Sequence, residues 1–398
     1  MFVFEILIYV IFAWIMYSFW LDNLKVSNQS HNPMFNRYVW MSILFFTFIC
    51  AIRWRVGVDS PNYAASFMVG LNDYSEVKRS EIIWGVLIDL IHSLGLHFTI
   101  GMGVVAFLQI YFITRTLYKY PYILVMLPIV LFGSHYYLDL MNGMRQMTVA
   151  CVFFWATQFI IDRKWIKYSL TIAICSFIHH SAILLLPLYL LNYVPRVYSL
   201  LNKRLVCLAI FVGCFVLGLL KQFQDIVQYA EHFTIYIGYD SYAERVNMML
   251  NNEYEEGGRN FGPMQMSYFL CAIICIWKMT DIIKKYGEKI PYIKLWILFS
   301  FLYSCSYFLL CNVSSILLRP VDYFALFHMF LICVILADLK NRRNKNMLYL
   351  FVLIIWVNTS WNIYKACTKT DASRPESTTY KVFFLHENEF DYYKRRKL

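Results

Sequence analysis

The chain has 398 residues, of which 60% are hydrophobic and only 15% charged, with a mean hydropathy of +0.51. Soluble domains carry about 45–50% apolar and about 25% charged residues, so that class is excluded. The formal net charge of +11 lies mostly in short loops between apolar runs, where the cytoplasmic excess of Lys and Arg explains it without nucleic acid.

Apolar runs occur at about 2–21, 38–52, 98–118, 122–138, 142–161, 166–191, 204–220, 265–283, 292–311, 313–337 and 346–363, with a shorter one at 82–94. A helix needs roughly 20 residues to cross the hydrocarbon core, and about 17 are tolerated. The runs are continuous rather than alternating, which argues against a barrel. The expectation is an all-α polytopic integral membrane protein with about 11–12 transmembrane helices, spanning residues 1–363 and followed by a polar, basic tail at 364–398. The first run lacks a basic flank and a small-residue cleavage site, so it reads as a membrane helix and not a removable signal peptide. The eleven cysteines form no C-x-x-C pair and read as small buried residues.

Loop charge sets the orientation. Basic clusters at Arg163, Lys164 and Lys167, at Arg196, Lys203 and Arg204, at Lys284, Lys285 and Lys289, and at Lys340, Arg342, Arg343 and Lys345 all read as cytoplasmic. The acidic, Tyr-rich loop at 221–264 reads as extracytoplasmic. Both flanks of the 166–191 run are basic, so one crossing would place them on opposite sides. The run also breaks near Ile178-His179-His180-Ser181. A re-entrant pair of half-helices resolves the conflict, and the half-length 82–94 run is a second candidate. The basic tail Lys394-Arg395-Arg396-Lys397 argues for a cytoplasmic C-terminus, against the count of spans.

Three arginine motifs then fall on the outer side. Arginine near a membrane interior is expensive and marks a functional site by default, and the guanidinium fork pairs with phosphate or carboxylate. In the first motif Arg53 and Arg55 end a span, Gly57 permits a tight turn, Asp59 is a candidate general base, and Pro61 and Tyr63 follow. Snorkelling arginines beside a turn are the plain alternative. The second motif is Asn142, Gly143, Met144, Arg145 and Gln146, with Arg145 in the first turn of a helix. Arginine is unfavourable at that end of the helix dipole unless an anion accompanies it. The third places Arg319 and Asp322 three apart on one helical face, beside Tyr323, as a salt bridge or a ligand contact. His179 and His180, beside Ser181, are candidate acid–base groups. The alternative there is a hydrogen-bonded core histidine. A metal site is disfavoured, because adjacent histidines face apart and no carboxylate lies three or four residues on.

The elements R-x-x-x-G-x-D-x-x-x-Y (Arg53, Gly57, Asp59, Tyr63), R-Q-x-x-x-A (Arg145, Gln146, Ala150), H-x-S-A (His179, Ser181, Ala182) and R-x-x-x-Y (Arg319, Tyr323) appear in this order. In them the chain resembles the EpsG family, the Wzy-like polymerases of bacterial exopolysaccharide assembly. The position beside the family's histidine is commonly basic; here it is a second histidine, His180, which leaves open which one acts. The resemblance implies a multi-pass protein of the bacterial inner membrane. Its activity would be that of a glycosyltransferase polymerising undecaprenyl-diphosphate-linked oligosaccharide units into exopolysaccharide, capsule or O-antigen, without cofactor or metal. Arg53, Arg55, Arg145 and Arg319 would hold the diphosphate, and His179, His180 or Asp59 would take the acceptor proton. Gly57, Tyr63, Asn142, Gln146, Asp322 and Tyr323 would support them. Membrane lipid, a chain-length regulator and a flippase of the same pathway are the implied partners. A lipid-linked oligosaccharide flippase is the main alternative, although the two comparable halves expected of a transporter are not visible. A glycan ligase would share nearly all the chemistry. A membrane acyltransferase would leave the arginines unexplained.

Overall fold

Nearly every described segment is a helix. The computed structural model describes residues 2–30, 35–70, 81–220, 261–311, 315–368 and 378–385. These divide into two units, Met1–Tyr193 with Ile332–Leu398, and Val194–Leu331.

In the first unit, α1 (Phe2–Ser30) and α2 (Arg37–Ala51) lead to the short strand β1 (Arg53–Trp54). The Asn36 side chain caps α2 by accepting the Tyr38 and Val39 N–H groups at 3.0 and 3.2 Å, which satisfies orphan donors of the first turn. Next come α3 (Ser60–Val69), α4 (Ile82–Ser93) and α5 (Phe98–Leu117). The apolar run at 122–138 is not one straight helix. It forms α6 (Pro121–Leu124), α7 (Leu127–Gly133) and α8 (Tyr136–Asn142), bent by 70° after Gly133. Backbone groups freed at such a bend must be re-satisfied in an apolar setting. The Thr359 hydroxyl donates to the carbonyls of Phe132 and Ser134 at 2.8 and 3.1 Å. Gln109 does the same at the next break, donating to Leu140 and Met144 carbonyls at 3.1 and 3.4 Å.

Helix α9 (Met144–Ile161) is about 27 Å long at 1.5 Å per residue. Arg145 stands at its start and Arg163 and Lys164 just beyond its end, so the second arginine motif and this basic loop occupy opposite ends of α9. The 166–191 run splits as expected, into α10 (Trp165–Ser176) and a 3₁₀ helix, His180–Tyr193. Tyr168 near the start of α10 donates to the Leu185 carbonyl at 2.6 Å and packs on the Tyr189 ring at 5.7 Å. The limbs are therefore antiparallel and return to the basic side. The twelve residues of α10 rise about 18 Å, short of the roughly 30 Å core. The half-length run at 82–94 is likewise one 12-residue helix, α4.

The second unit holds α11 (Arg196–Leu200), α12 (Arg204–Leu219), α13 (Pro263–Tyr286), α14 (Ile293–Leu310), α15 (Ser315–Asp322) and the beginning of α16 (Ala325–Asn341). Phe211, Phe215, Phe269 and Phe308 pack edge to face or tilted at 4.7–5.7 Å. Arg204 pairs with Asp281 at 2.7 Å. The chain then re-enters the first unit through the rest of α16, α17 (Lys345–Thr368) and the strand β2 (Lys381–Val382).

Among the described residues, six helices are long and apolar enough to cross a membrane, or seven with the bent pair. This is fewer than the apolar runs suggested. The 82–94, 166–191 and 313–337 runs are short or broken, and α2 and α12 have only 15 and 16 residues. The all-α polytopic class stands. The expected outer loop lies, over 221–260, outside the described residues, as do the tail residues 369–377 and 386–398.

Candidate functional site

The first two arginine motifs meet through backbone contacts. Gly57 adopts φ +93°, and a Cβ there would lie 3.2 Å from the Met141 carbonyl oxygen and 3.3 Å from Asn142 backbone atoms. Only glycine fits that approach. Two residues on, the Asp59 N–H donates to Asn142 Oδ1 at 2.9 Å. The loop after β1 is thus docked on the residues that start α9.

Arg53 does not take the expected role of a diphosphate clamp. It is fully buried, and its guanidinium donates to the carbonyls of Cys50, Val56 (3.4 Å) and Met141 (3.3 Å) and meets the sulfurs of Met102 and Met144 at 3.5 and 3.2 Å. An anion could reach it only by displacing carbonyls that close the loop. Its work here is to satisfy the end of α2 and hold β1 against α8. Arg55, at φ +56°, carries the chain through the turn in the left-handed region that is uncommon outside glycine.

Arg145 is different. Its Nη1 donates to Glu81 Oε2 at 2.6 Å, and the Tyr63 hydroxyl is in side-chain hydrogen-bonding contact with it. The Arg145 side chain is 24% exposed, whereas the Glu81 carboxylate beneath it is 2% exposed. Glu81 therefore supplies the anion that an arginine in the first turn of α9 calls for. Its other oxygen accepts from His179 Nδ1 at 2.8 Å and from the His180 N–H at 3.3 Å. The tip of the α10 hairpin is further fastened by the Ile83 N–H donating to the Phe177 carbonyl at 3.0 Å.

Burial would raise the Glu81 carboxyl. The His179 hydrogen bond, the Arg145 charge and the His180 N–H outweigh that and hold it at about 2. An ionised carboxylate only accepts hydrogen bonds, so Nδ1 of His179 must carry a proton. When the ring is neutral its lone pair is then on Nε2. A carboxylate that fixes the tautomer of a neighbouring imidazole is the arrangement that makes histidine a general base. Glu81 holds the ring of His179 and accepts the backbone N–H of His180.

The structure thus gathers Tyr63, Arg145 and His179, adds His180 through its N–H, and seats Gly57, Asp59 and Asn142 in the loop behind them. Gln146 is buried one residue further along α9. Arg319, Asp322 and Tyr323 belong to the second unit, with Arg319 exposed at the end of α15 and Tyr323 buried just after it. Glu81 was missed by the sequence reading. It closes a charged stretch, Lys78-Arg79-Ser80-Glu81, that looks like a solvated loop. The one signal was its position against a half-length apolar helix.

In comparison with known families, the model of the EpsG family fits residues 36–371. No curated protein and no solved structure matches the chain.

Proposed function

Because the chain belongs to the EpsG family, and so has a polymerase-type role in exopolysaccharide assembly, we propose that it is a membrane glycosyltransferase acting on lipid-diphosphate-linked oligosaccharide units. The donor is a growing glycan on undecaprenyl diphosphate, and the acceptor is a repeat unit on a second such lipid. Nε2 of His179 removes the proton from the acceptor hydroxyl, whose oxygen forms the new bond to the anomeric carbon. The bond from that carbon to the diphosphate oxygen breaks, and the diphosphate leaves as an anion against Arg145. Glu81 keeps His179 in the required tautomer and neutralises Arg145 until the diphosphate arrives. Tyr63 orients the guanidinium. Asp59 and Asn142 keep the loop docked. The observation that supports this reading most is the shared carboxylate, which puts an accessible arginine and a tautomer-fixed histidine side by side.

Loop charge supports a site on the outer face of the cytoplasmic membrane. Profiling of lipid-linked glycans after deletion of the gene tests the proposal. Single repeat units on undecaprenyl diphosphate, accessible to enzymes added from outside, are expected to accumulate, and an Arg145→Ala gene should fail to clear them. Units trapped on the inner leaflet would instead indicate a flippase, and full-length polymer left on its lipid would indicate a ligase.

A further inference from the structure

The C-terminal segment returns to the arginine loop. Lys381–Val382 pairs antiparallel with Arg53–Trp54, in the register Arg53 to Val382 and Trp54 to Lys381. The Phe383 N–H extends the ladder by donating to the Ile52 carbonyl at 3.0 Å. Side chains lock the segment on both flanks. Glu5 Oε2 accepts the Tyr380 N–H at 3.0 Å, the Tyr9 hydroxyl donates to the Thr378 carbonyl at 2.8 Å, and the Tyr380 hydroxyl donates to the Ile49 carbonyl. The Phe383 ring lies 4.8 Å from that of His97 and 5.8 Å from that of Phe98. It also packs on the apolar cluster that contains Trp54, Trp84 and Met144. Each of those three is within three residues of a site feature: Trp54 follows Arg53, Trp84 stands three after Glu81, and Met144 precedes Arg145.

We propose that Thr378–Leu385 is a positioning strand of the site. It gives β1 the partner that a two-residue strand cannot do without and so sets the loop that docks Gly57 and Asp59 on Asn142. Through Phe383 it also braces the cluster under Glu81 and Arg145. The segment then lies at the same end of the unit as Arg145, opposite Arg163 and Lys164, which places this part of the tail on the outer face with the site. The basic tail had argued for the cytoplasmic face. Its link to catalysis rests on the polymerase reading; its structural part does not.

The test compares the full chain, a chain ending at Ser377, Phe383→Ala and Phe383→Tyr, each purified into lipid nanodiscs. Amide exchange over 52–63 should accelerate about tenfold or more in the truncated and Phe383→Ala proteins, with Arg204–Leu219 and Ile293–Leu310 still protected. Phe383→Tyr should restore slow exchange. Turnover of a lipid-diphosphate-linked unit should show KM raised more than kcat is lowered in the two loosened proteins, because the diphosphate contact is what loosens. Unchanged exchange over 52–63, or equal loss of protection in both units, would overturn the positioning role. Loosened exchange in variants of a chain whose wild type turns over no lipid-linked unit would leave the strand intact and overturn the polymerase reading.

Discussion

Two histidines, one in each unit, show what separates the proposed base from a packed ring. His328 in α16 is 5% exposed, with Nδ1 3.1 Å from the Ser300 hydroxyl and 3.4 Å from that of Ser304, and its ring 5.3 Å from that of Tyr303. Ser304 itself donates to the Ser300 carbonyl, so the hydroxyls serve the backbone as well as the ring. His179 in the first unit shares a carboxylate with an arginine that is partly open to its surroundings. Both histidines are satisfied, as buried polar groups must be. Only His179 has a charged partner that fixes its tautomer and a cationic neighbour for a departing anion. The same contrast separates Arg53, whose donors end on backbone carbonyls and methionine sulfurs, from Arg145, whose donor ends on a carboxylate.

The largest effects should follow from the reacting pair. Arg145→Ala is expected to lower polymer formation on the order of 100- to 1,000-fold, the loss typical of removing one charge-stabilising donor. His179→Gln should lower it roughly 100- to 10,000-fold, measured as polymer per unit of inserted protein. His180→Gln should act far more weakly, since its backbone makes the contact. A comparable loss from His180→Gln would reverse the assignment of the two rings.

Glu81 sharpens the contrast, because it acts on stability and activity together. Glu81→Ala takes the carboxylate from the partly exposed Arg145 and from the His179 ring, and should cost about 1–3 kcal/mol of stability, the range for removing one hydrogen-bond partner. Glu81→Gln keeps an oxygen for His179 and should retain most of the fold while losing activity. Thermal melts in detergent alongside polymer assays separate the two. In the second unit His328→Leu should cost about 1 kcal/mol, the net worth of an ordinary hydrogen bond, and leave polymer length unchanged. A large activity loss there, with the fold intact, would collapse the distinction between the two histidines.

Glu81 also carries a pH dependence. Its carboxyl is held from 4.5 down to about 2 in the folded protein. A depressed carboxyl adds stability that is complete above the unfolded value and is lost as pH falls through the folded one. Unfolding midpoints should therefore decline between pH 4.5 and about 2, and less steeply in Glu81→Gln. Above that window Glu81 stays ionised.

Much of this was legible in the sequence and some was not, for identifiable reasons. Run length and continuity gave the membrane class. Basic flanks on both sides of 166–191, with two histidines between, gave the hairpin and its tip. Arg145 stood out because it opens a helix at the wrong end of the dipole. Its partner did not, since Glu81 is 64 and 98 residues away from Arg145 and His179, and periodicity carries no information over such separations. Arg53 looked like its equal because a sequence does not show whether a guanidinium meets carbonyls or a ligand. The C-terminal strand escaped notice for the same reason. Two residues of β pairing have no pattern to read, and the basic residues beyond it pointed to the other face.

The central claim is that Arg145, Glu81 and His179 form the reacting site. Its most direct test is single-turnover transfer by the purified full chain in nanodiscs, with a lipid-diphosphate-linked repeat unit as donor and acceptor, following release of the free lipid diphosphate. The account predicts release with formation of the dimeric glycan for the wild type, and neither for Arg145→Ala or His179→Gln proteins that keep the wild-type melting profile. Release at near wild-type rate from either folded variant would contradict it.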